Sequence, residues 1–311
     1  WGFYDAGAEK TLGVYMMYDI VPVEPENWRA PPFEAELLDL DVGKVVMSRG
    51  AANQKGPERA FLNAVDAILA TEGQLPVNLM IAAEGEEEIG SPHLLPFVES
   101  NLERLRADVV MISDSTMFDR GVPSIGYGLR GLSYLQIDVQ GPVRDLHSGS
   151  FGGPVANPAF VLSQILASLK DDDDRVLIPG FYDRVRELTP EEKDAFASLP
   201  FDEAAYVADL GVTKLAGERG YTPLEQLWAR PTLEVNGLLS GFTEEGAKTV
   251  LPSRAMAKVS MRLVPDQDHN EIDELFEHYV LAQAPETVSV EVTSMHGGAP
   301  WVASLDHPAL R

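Results

Sequence analysis

The sequence has no cysteine, few basic residues and no apolar run long enough to cross a bilayer. The lack of cysteine excludes disulfides, thiolate nucleophiles and cysteine-based zinc sites. The 24 lysines and arginines are outnumbered by 49 acidic residues, and the formal net charge of −25 disfavours nucleic acid and anionic membranes as partners. No signal-peptide pattern is recognised, and we expect a cytoplasmic protein.

The length of 311 residues is enough for one large domain or two of ordinary size, and a hydrophobic fraction of 45% is enough for a substantial core. The chain opens at Trp1 rather than at a methionine, and a helical pattern starts within 307–311. We therefore expect that a longer polypeptide continues beyond both ends.

Three apolar, strand-like runs in the first part of the chain each end at acidic side chains. The runs with the acids that follow them are 11–18 with Asp19, 77–82 with Glu84 and Glu86–Glu88, and 109–113 with Asp114. Open α/β sheets bind their ligands at the carboxyl ends of the strands. Crowded carboxylates repel each other, so either a shared cation or a proton-transfer pair would explain their proximity. The alternative is that these acids only form turns and cap helices.

The periodicity of the chain changes near residue 129. Residues 1–128 alternate strand-like runs with helices, which predicts an α/β domain with a mostly parallel sheet. Residues 129–311 combine half-buried strands with helices, which predicts an α+β domain with an antiparallel sheet, and 178–230 is a loop-rich elaboration of it. The helices predicted in the first domain are 57–71 and 94–105. In the second domain the predicted strands are 133–139, 255–264 and 287–292, and the predicted helices are 157–169 and 271–282.

Nine short motifs follow one another along most of the chain. They are Tyr18–Val23, Arg49–Ala51 with Lys55–Gly56, Glu84–Ser91, Ile112–Asp114, Gly126–Gly131, Asp145–Gly149, Thr249–Pro252, Ser260–Pro265 and His296–Trp301. In this order they resemble the M20 family of metallopeptidases, nearest to the carnosinase-like dipeptidases and the succinyl-diaminopimelate desuccinylase-like amidohydrolases.

The resemblance implies an enzyme with two domains and, usually, two zinc ions. Residues 1–128 would be the α/β catalytic domain, without its N- and C-terminal parts, and 129–311 the lid and dimerisation domain of a homodimer. The enzyme would hydrolyse peptide or amide bonds in small carboxylated substrates, such as dipeptides and N-acyl amino acids. A metal lowers the pKa of its bound water and a carboxylate takes the proton, so the chemistry is reasonable.

The resemblance also implies a role for individual residues. Glu87 would be the general base that activates the metal-bound water, while Glu88 and Asp114 would be metal ligands. His147 would reach the site of the partner subunit and stabilise the tetrahedral oxyanion. Arg262 would bind the carboxylate of the substrate.

Two positions depart from the family pattern. Met17 replaces the first metal-binding histidine, which leaves Asp19 without the side chain that it would orient, and Asn53 replaces the aspartate that bridges the two metals. A thioether and a neutral amide are poor ligands for zinc. The last histidine ligand of the family would lie beyond Arg311. Of five expected ligands, Glu88 and Asp114 therefore remain.

Three further polar residues have two interpretations each. We expect Asn53 and His296 to contact the substrate, although Asn53 could simply belong to a turn and His296, which precedes two glycines, could face solvent. His93 follows the acidic run and either caps or packs against the nearby helix or replaces a missing metal ligand.

Two alternatives to a metallohydrolase stay open. One is a metal-independent enzyme in which Glu87, Glu88 and Asp114 transfer protons, and the other is a non-catalytic homologue that keeps the cleft and the dimer. The presence of Glu87, His147 and Arg262 argues against the non-catalytic homologue, because a binding protein needs neither a base nor an oxyanion donor. Met17 and Asn53 argue against an unmodified two-zinc enzyme.

Overall fold

The computed structural model describes residues 1–114 and 117–310. They form two compact units, of which unit 1 contains Trp1–Gly126 and the chain end from Pro308, and unit 2 contains Tyr127–His307. Within the described ranges, no helix has both the length and the apolar character that a membrane span needs.

Unit 1 contains six strands and two α-helices among its described residues. The strands are β1 Gly2–Tyr4, β2 Thr11–Met17, β3 Glu36–Leu40, β4 Gly43–Met47, β5 Asn78–Glu84 and β6 Val109–Ile112. The helices are α1 Lys55–Glu72 and α2 Leu94–Ser100, with short 3-10 helices at Pro25–Asn27, Glu87–Ile89 and Pro308–Leu310. The helix expected to start within 307–311 is the last of these, and Arg311 lies outside the described residues.

The main sheet of unit 1 has the strand order β1-β5-β2-β6. β2 is parallel to both β5 and β6, whereas the short β1 is antiparallel to β5. The predicted apolar runs are therefore strands whose carboxyl ends share one edge. β3 and β4 form a separate hairpin.

Helix α2 was predicted to continue to residue 105, but it ends at Ser100. Asn101 donates a side-chain hydrogen bond of 2.8 Å to the carbonyl of Phe97, and its backbone N–H bonds the carbonyl of Val98. Asparagine competes in this way with the helical hydrogen-bond pattern and favours a helix end.

Unit 2 contains eight strands and six helices among its described residues. The strands are β7 Gly128–Leu129, β8 Gly131–Gln140, β9 Leu146–His147, β10 Thr232–Ser240, β11 Val250–Leu251, β12 Arg254–Leu263, β13 Ser289–Gly298 and β14 Trp301–Val302. The helices are α3 Ser148–Phe151, α4 Pro158–Ala167, α5 Pro190–Ala197, α6 Glu203–Leu210, α7 Pro223–Trp228 and α8 His269–Gln283.

The main sheet of unit 2 is antiparallel throughout, in the order β10-β12-β8-β13. Its two central strands, β8 and β12, bury every second side chain against α4 and α8, and the alternating residues face away from these helices. The core contains Leu135, Ile137, Val139, Leu162, Ile165, Val259, Met261 and Phe276. A mostly parallel α/β sheet and an antiparallel α+β sheet are the fold class that the sequence predicts.

The segment 178–230 has more regular structure than its loop-rich description suggests, since it contains α5, α6 and α7. Two of these helices begin with a complete capping box, formed by Thr189 with Glu192 and by Thr222 with Glu225. A threonine followed three residues later by glutamate is a recognisable helix-start signal, so both helices could have been predicted.

Candidate active site

The acidic residues that follow the three parallel strands lie at one edge of the unit 1 sheet. Glu84 is the last residue of β5, while Asp19 and Asp114 each follow the end of their strand by two residues. Glu87 and Glu88 occupy the 3-10 helix directly after β5. The in-register pairing of Met17 with Glu84 and of Tyr15 with Ile112 aligns these strand ends.

Glu87 lies at the centre of this group of carboxylates. Partial burial raises the pKa of Glu87, and the negative charges of Glu88, Asp114, Asp19 and Glu84 raise it further. Burial also raises the pKa of Asp114. A carboxylate whose pKa is raised towards neutrality is a better proton acceptor for water than an ordinary one, which suits a general base.

The chain around Glu84 is fixed by hydrogen bonds on both sides. The hydroxyl of Tyr15 donates to Oε1 of Glu84, and the Ser91 hydroxyl donates to the same atom at 2.8 Å. Burial and this bond to Glu84 raise the pKa of Tyr15. The backbone N–H of Tyr18 donates to the carbonyl of Glu84 at 2.9 Å. These contacts hold both ends of the loop that carries Glu87.

Asp19 and Asn53 both contact Glu88. Oδ2 of Asp19 accepts a hydrogen bond of 2.9 Å from the backbone N–H of Glu88, while Oδ1 is buried without a partner. Asp19 thus lacks the histidine that it would orient, as expected from Met17, but its other oxygen holds the backbone of Glu88. The Asn53 side-chain amide donates a long hydrogen bond of 3.5 Å to Oε1 of Glu88.

His93 precedes the first residue of α2, but its side chain makes no capping hydrogen bond. Its Nδ1 lies 2.7 Å from Oε2 of Glu86, and the imidazole is 79% exposed. The predicted capping role of this side chain is therefore wrong, and His93 forms a solvated contact with Glu86 instead.

His147 lies at the end of β9, which pairs with β11. Its Nδ1 accepts a hydrogen bond of 3.1 Å from the backbone N–H of Gly149, and its Nε2 lies 3.1 Å from the Thr249 hydroxyl. Because Nδ1 accepts, the proton of a neutral imidazole is assigned to Nε2, directed at Thr249. Thr249 was not predicted to be a site residue, although it is the first residue of the Thr249–Pro252 motif.

Arg262 and His296 share the face of the unit 2 sheet that points away from α4 and α8. Arg262 on β12 pairs with Leu132 of β8, and His296 on β13 pairs with Tyr134 of β8. The imidazole of His296 stacks on the Tyr134 ring with centroids 5.0 Å apart. A bulge after Ser294 produces this register, because it puts His296 opposite Tyr134.

Residues 127–288, more than half of the chain, match the peptidase dimerisation domain of M20 proteins. The chain belongs to the M20 family. The resemblance drawn from its motifs is thereby confirmed.

Two M20 relatives and one solved structure illustrate the similarity. The chain is 34% identical to the Cys-Gly metallodipeptidase DUG1 of Candida albicans over 305 residues, which cover 95% of this chain and 62% of the relative. It is 34% identical to the Beta-Ala-His dipeptidase of Homo sapiens over 311 residues, which cover 97% and 61%. The M20 family metallo-carboxypeptidase Sso-CP2 from Sulfolobus solfataricus has a TM-score of 0.86 at 34% identity, covering 99% of this chain and 69% of that one. This M20 chain thus spans about three fifths of the two relatives.

The donors in this M20 chain do not fit a two-zinc centre. Zinc sites in proteins use three or four protein ligands from histidine, cysteine and carboxylates. In the part of the chain that the structure describes, no three such side chains are grouped closely enough to hold a metal ion. Met17 is buried and Asn53 bonds to Glu88, which leaves the carboxylates of Glu88 and Asp114.

The structure brings all of the predicted site residues except His147 into two sets. Glu87, Glu88, Asp114 and Asn53 lie together in unit 1, and Arg262 and His296 share a sheet face in unit 2. His147 belongs to the separate β9–β11 pair of unit 2. The catalytic, metal-binding and substrate-binding roles of these residues stay predictions.

Proposed function

We propose that the whole protein hydrolyses peptide or amide bonds in small carboxylated substrates, such as dipeptides and N-acyl amino acids, with Glu87 as the general base. The observation that carries the proposal is the position of Glu87 at the shared edge of three parallel strands, among carboxylates that raise its pKa. Two relatives of similar sequence are named as dipeptidases, which supports the substrate class.

The proposed reaction uses three side chains of this chain. Glu87 takes a proton from the water whose oxygen attacks the carbonyl carbon, and later gives that proton to the nitrogen that leaves as the carbon–nitrogen bond breaks. The imidazole of His147, supplied by the second copy in a homodimer, stabilises the oxyanion. Arg262 binds the carboxylate of the substrate. Asn53 and His296 would line the bound substrate.

Zinc is the metal that the M20 resemblance predicts, with Glu88 and Asp114 as its candidate ligands. A metal-independent hydrolase is the second candidate. Its support is the buried thioether of Met17 and the hydrogen bond that occupies the amide of Asn53.

An activity screen with and without a chelator tests the proposal. The substrates are Cys-Gly, β-Ala-His and a set of N-acyl amino acids, and the variants are Glu87→Gln and the matched control Glu86→Gln. Glu86 faces His93 in an exposed contact, so its loss should leave turnover within about twofold. We expect Glu87→Gln to lower kcat by at least about a hundredfold. No turnover by the wild type, or full turnover by Glu87→Gln, would contradict the proposal.

Chelator response and metal analysis of the purified protein separate the two candidates. Turnover that chelator abolishes, together with bound zinc, supports the zinc enzyme, and turnover that chelator leaves unchanged supports the metal-independent one. The homodimer and the cytoplasmic location are also proposals, and the match to a dimerisation domain supports the homodimer. Light scattering of the purified protein and cell fractionation test them.

A further inference from the structure

Two arginines of unit 2, Arg130 and Arg262, lie near each other without an acidic partner. Arg130 precedes the first residue of β8, and Arg262 pairs with Leu132, the second residue of that strand. In the part of the chain that the structure describes, neither guanidinium has a carboxylate within 4.0 Å or a hydrogen-bond partner. The sequence has 49 acidic residues for 24 basic ones, so an uncompensated pair of cations is unexpected.

The proximity of the two charges has an electrostatic cost. Arg130 is half-buried, and its burial, together with the positive charge of Arg262, lowers the pKa of its guanidinium. Two like charges this close are stabilised when an anion lies between them. The guanidinium group is well suited to that role, because its planar N–H donors match the two oxygens of a carboxylate.

Open space lies on the same sheet face, on the other side of Leu132 from Arg262. Gly298 of β13 pairs with Leu132 from the side opposite to Arg262, and a Cβ atom built on Gly298 would meet no atom within 4 Å. In the next row of side chains, His296 stacks on Tyr134. A small anionic group therefore has room on this face, in the row next to the stacked rings of His296 and Tyr134.

We propose that Arg130 and Arg262 together bind the C-terminal residue of the substrate and favour a residue with two carboxylates, aspartate or glutamate. This inference rests on the proposed function, which it narrows to peptides with a free, acidic C-terminal residue. One carboxylate would compensate one of the two guanidinium charges. A second carboxylate on the same residue compensates the other.

Binding of L-glutamate and L-glutamine to the full chain, measured by calorimetry, tests the inference. The two probes have nearly the same shape, differ by one charge and contain no peptide bond, so binding is measurable whether or not the protein is a peptidase. We expect the wild type to bind glutamate at least about tenfold more tightly than glutamine, since a charged hydrogen bond is involved. Arg130→Gln should remove most of that preference, and Arg130→Lys should keep part of it.

Lys258→Gln is the matched control. Lys258 lies on the same strand and the same sheet face as Arg262, and its replacement removes one positive charge at a distance of four residues. It should change glutamate binding by less than about threefold.

Two results would overturn the inference. Equal binding of glutamate and glutamine by the wild type would refute the preference for two carboxylates. Wild-type glutamate binding by Arg130→Gln would remove Arg130 from the site. Should Arg130→Gln fail to fold, Arg130→Lys decides, and wild-type glutamate binding by that variant would refute a need for the guanidinium fork.

A turnover assay separates this inference from the proposed function. Hydrolysis of glutamine-ending dipeptides at the same kcat/KM as glutamate-ending ones would refute the inference and leave the peptidase intact. An absence of all hydrolysis, with tight glutamate binding lost in Arg130→Gln, would refute the peptidase and keep the anion site.

Discussion

Oδ2 of Asp19 accepts a hydrogen bond of 2.9 Å from the backbone N–H of Glu88. The contact joins the end of β2 to the 3-10 helix that follows β5, and that helix carries Glu87. A side chain at the end of one strand therefore fixes the backbone at the end of its neighbour. The position of the general base depends on this bond as well as on its own loop.

Replacement of Asp19 should impair both stability and activity. Asp19→Ala leaves the N–H of Glu88 without its acceptor, so we expect the free energy of unfolding to fall by about 1 kcal/mol. We also expect a lower kcat, because the helix that holds Glu87 loses a tether. Asp19→Asn keeps an acceptor oxygen and should retain more of both. Urea unfolding and steady-state kinetics measure the two effects, and equal behaviour of Ala and Asn would refute this role.

Thr249 should act through His147. Thr249→Val keeps the shape of the side chain but removes the hydroxyl that contacts Nε2 of His147 at 3.1 Å. We expect kcat to fall by about tenfold with little change in KM, because an oxyanion donor loses its orientation. Thr249→Ser restores the hydroxyl and should recover most of the rate. A rise in KM at unchanged kcat would instead indicate a role in substrate binding.

The buried pair of Arg230 and Glu218 should be important for the stability of unit 2. Arg230 donates two hydrogen bonds of 2.7 Å to Glu218, and both side chains are less than a tenth exposed. Glu218→Ala removes both of these hydrogen bonds from a buried guanidinium and should lower the free energy of unfolding by about 3 kcal/mol. Glu187 is the control, because it lies 3.9 Å from the same arginine but is 67% exposed. Glu187→Ala should cost less than about 1 kcal/mol in urea unfolding.

The lowered pKa of Glu192 predicts that the protein loses stability as the solution becomes acidic. Two hydrogen bonds from Arg186, of 2.7 and 2.8 Å, lower the pKa of this buried glutamate to about 2, from an ordinary value of 4.5. A carboxylate with a lowered pKa in the folded state stabilises the fold above pH 4.5 and loses that contribution as the pH falls towards 2.

Glu192→Gln should remove this pH dependence. The full contribution is on the order of 3 kcal/mol, so the variant should be less stable than the wild type at pH 7 and the difference should shrink below pH 4.5. Glu191→Gln, an exposed neighbour on the same helix, controls for the loss of a charge. A difference between wild type and Glu192→Gln that stays constant from pH 6 to pH 3 would contradict the assignment.

The sequence predicted those parts of the site that depend on strand direction. An apolar run followed by an acid indicates a strand that ends in a carboxylate, and parallel pairing then brings Asp19, Glu87 and Asp114 to one edge. It did not predict the Asp19–Glu88 hydrogen bond, because that bond depends on how a 3-10 helix folds back on a neighbouring strand. The end of α2 at Ser100 was missed for another reason. The apolar pattern continues to residue 105, but the side chain of one asparagine, Asn101, ends the helix.

Strand β10 was also missed, because it lies at the edge of its sheet. Val235, Leu238 and Leu239 are exposed there, so the segment lacks the alternation by which strands are recognised. The proximity of Arg130 to Arg262 had no sequence signal either. Their positions are 132 residues apart in number, and only the pairing of β8 with β12 brings them to one place.

The bulge in β13 shifts the alternation of its side chains by one residue, so the strand has one register before the bulge and another after it. Ahead of it, Glu291 and Thr293 pair with the outward-facing side chains of β8, and beyond it His296 and Gly298 do so. Met295 is the surplus residue, so a homologue that lacks it would keep every other side chain on its present side. Loss or gain of a residue elsewhere in the strand would invert one half of it, and inversion of the half after the bulge would turn the imidazole of His296 to the opposite face of the sheet. Chain-length variation among relatives should therefore concentrate at this single position.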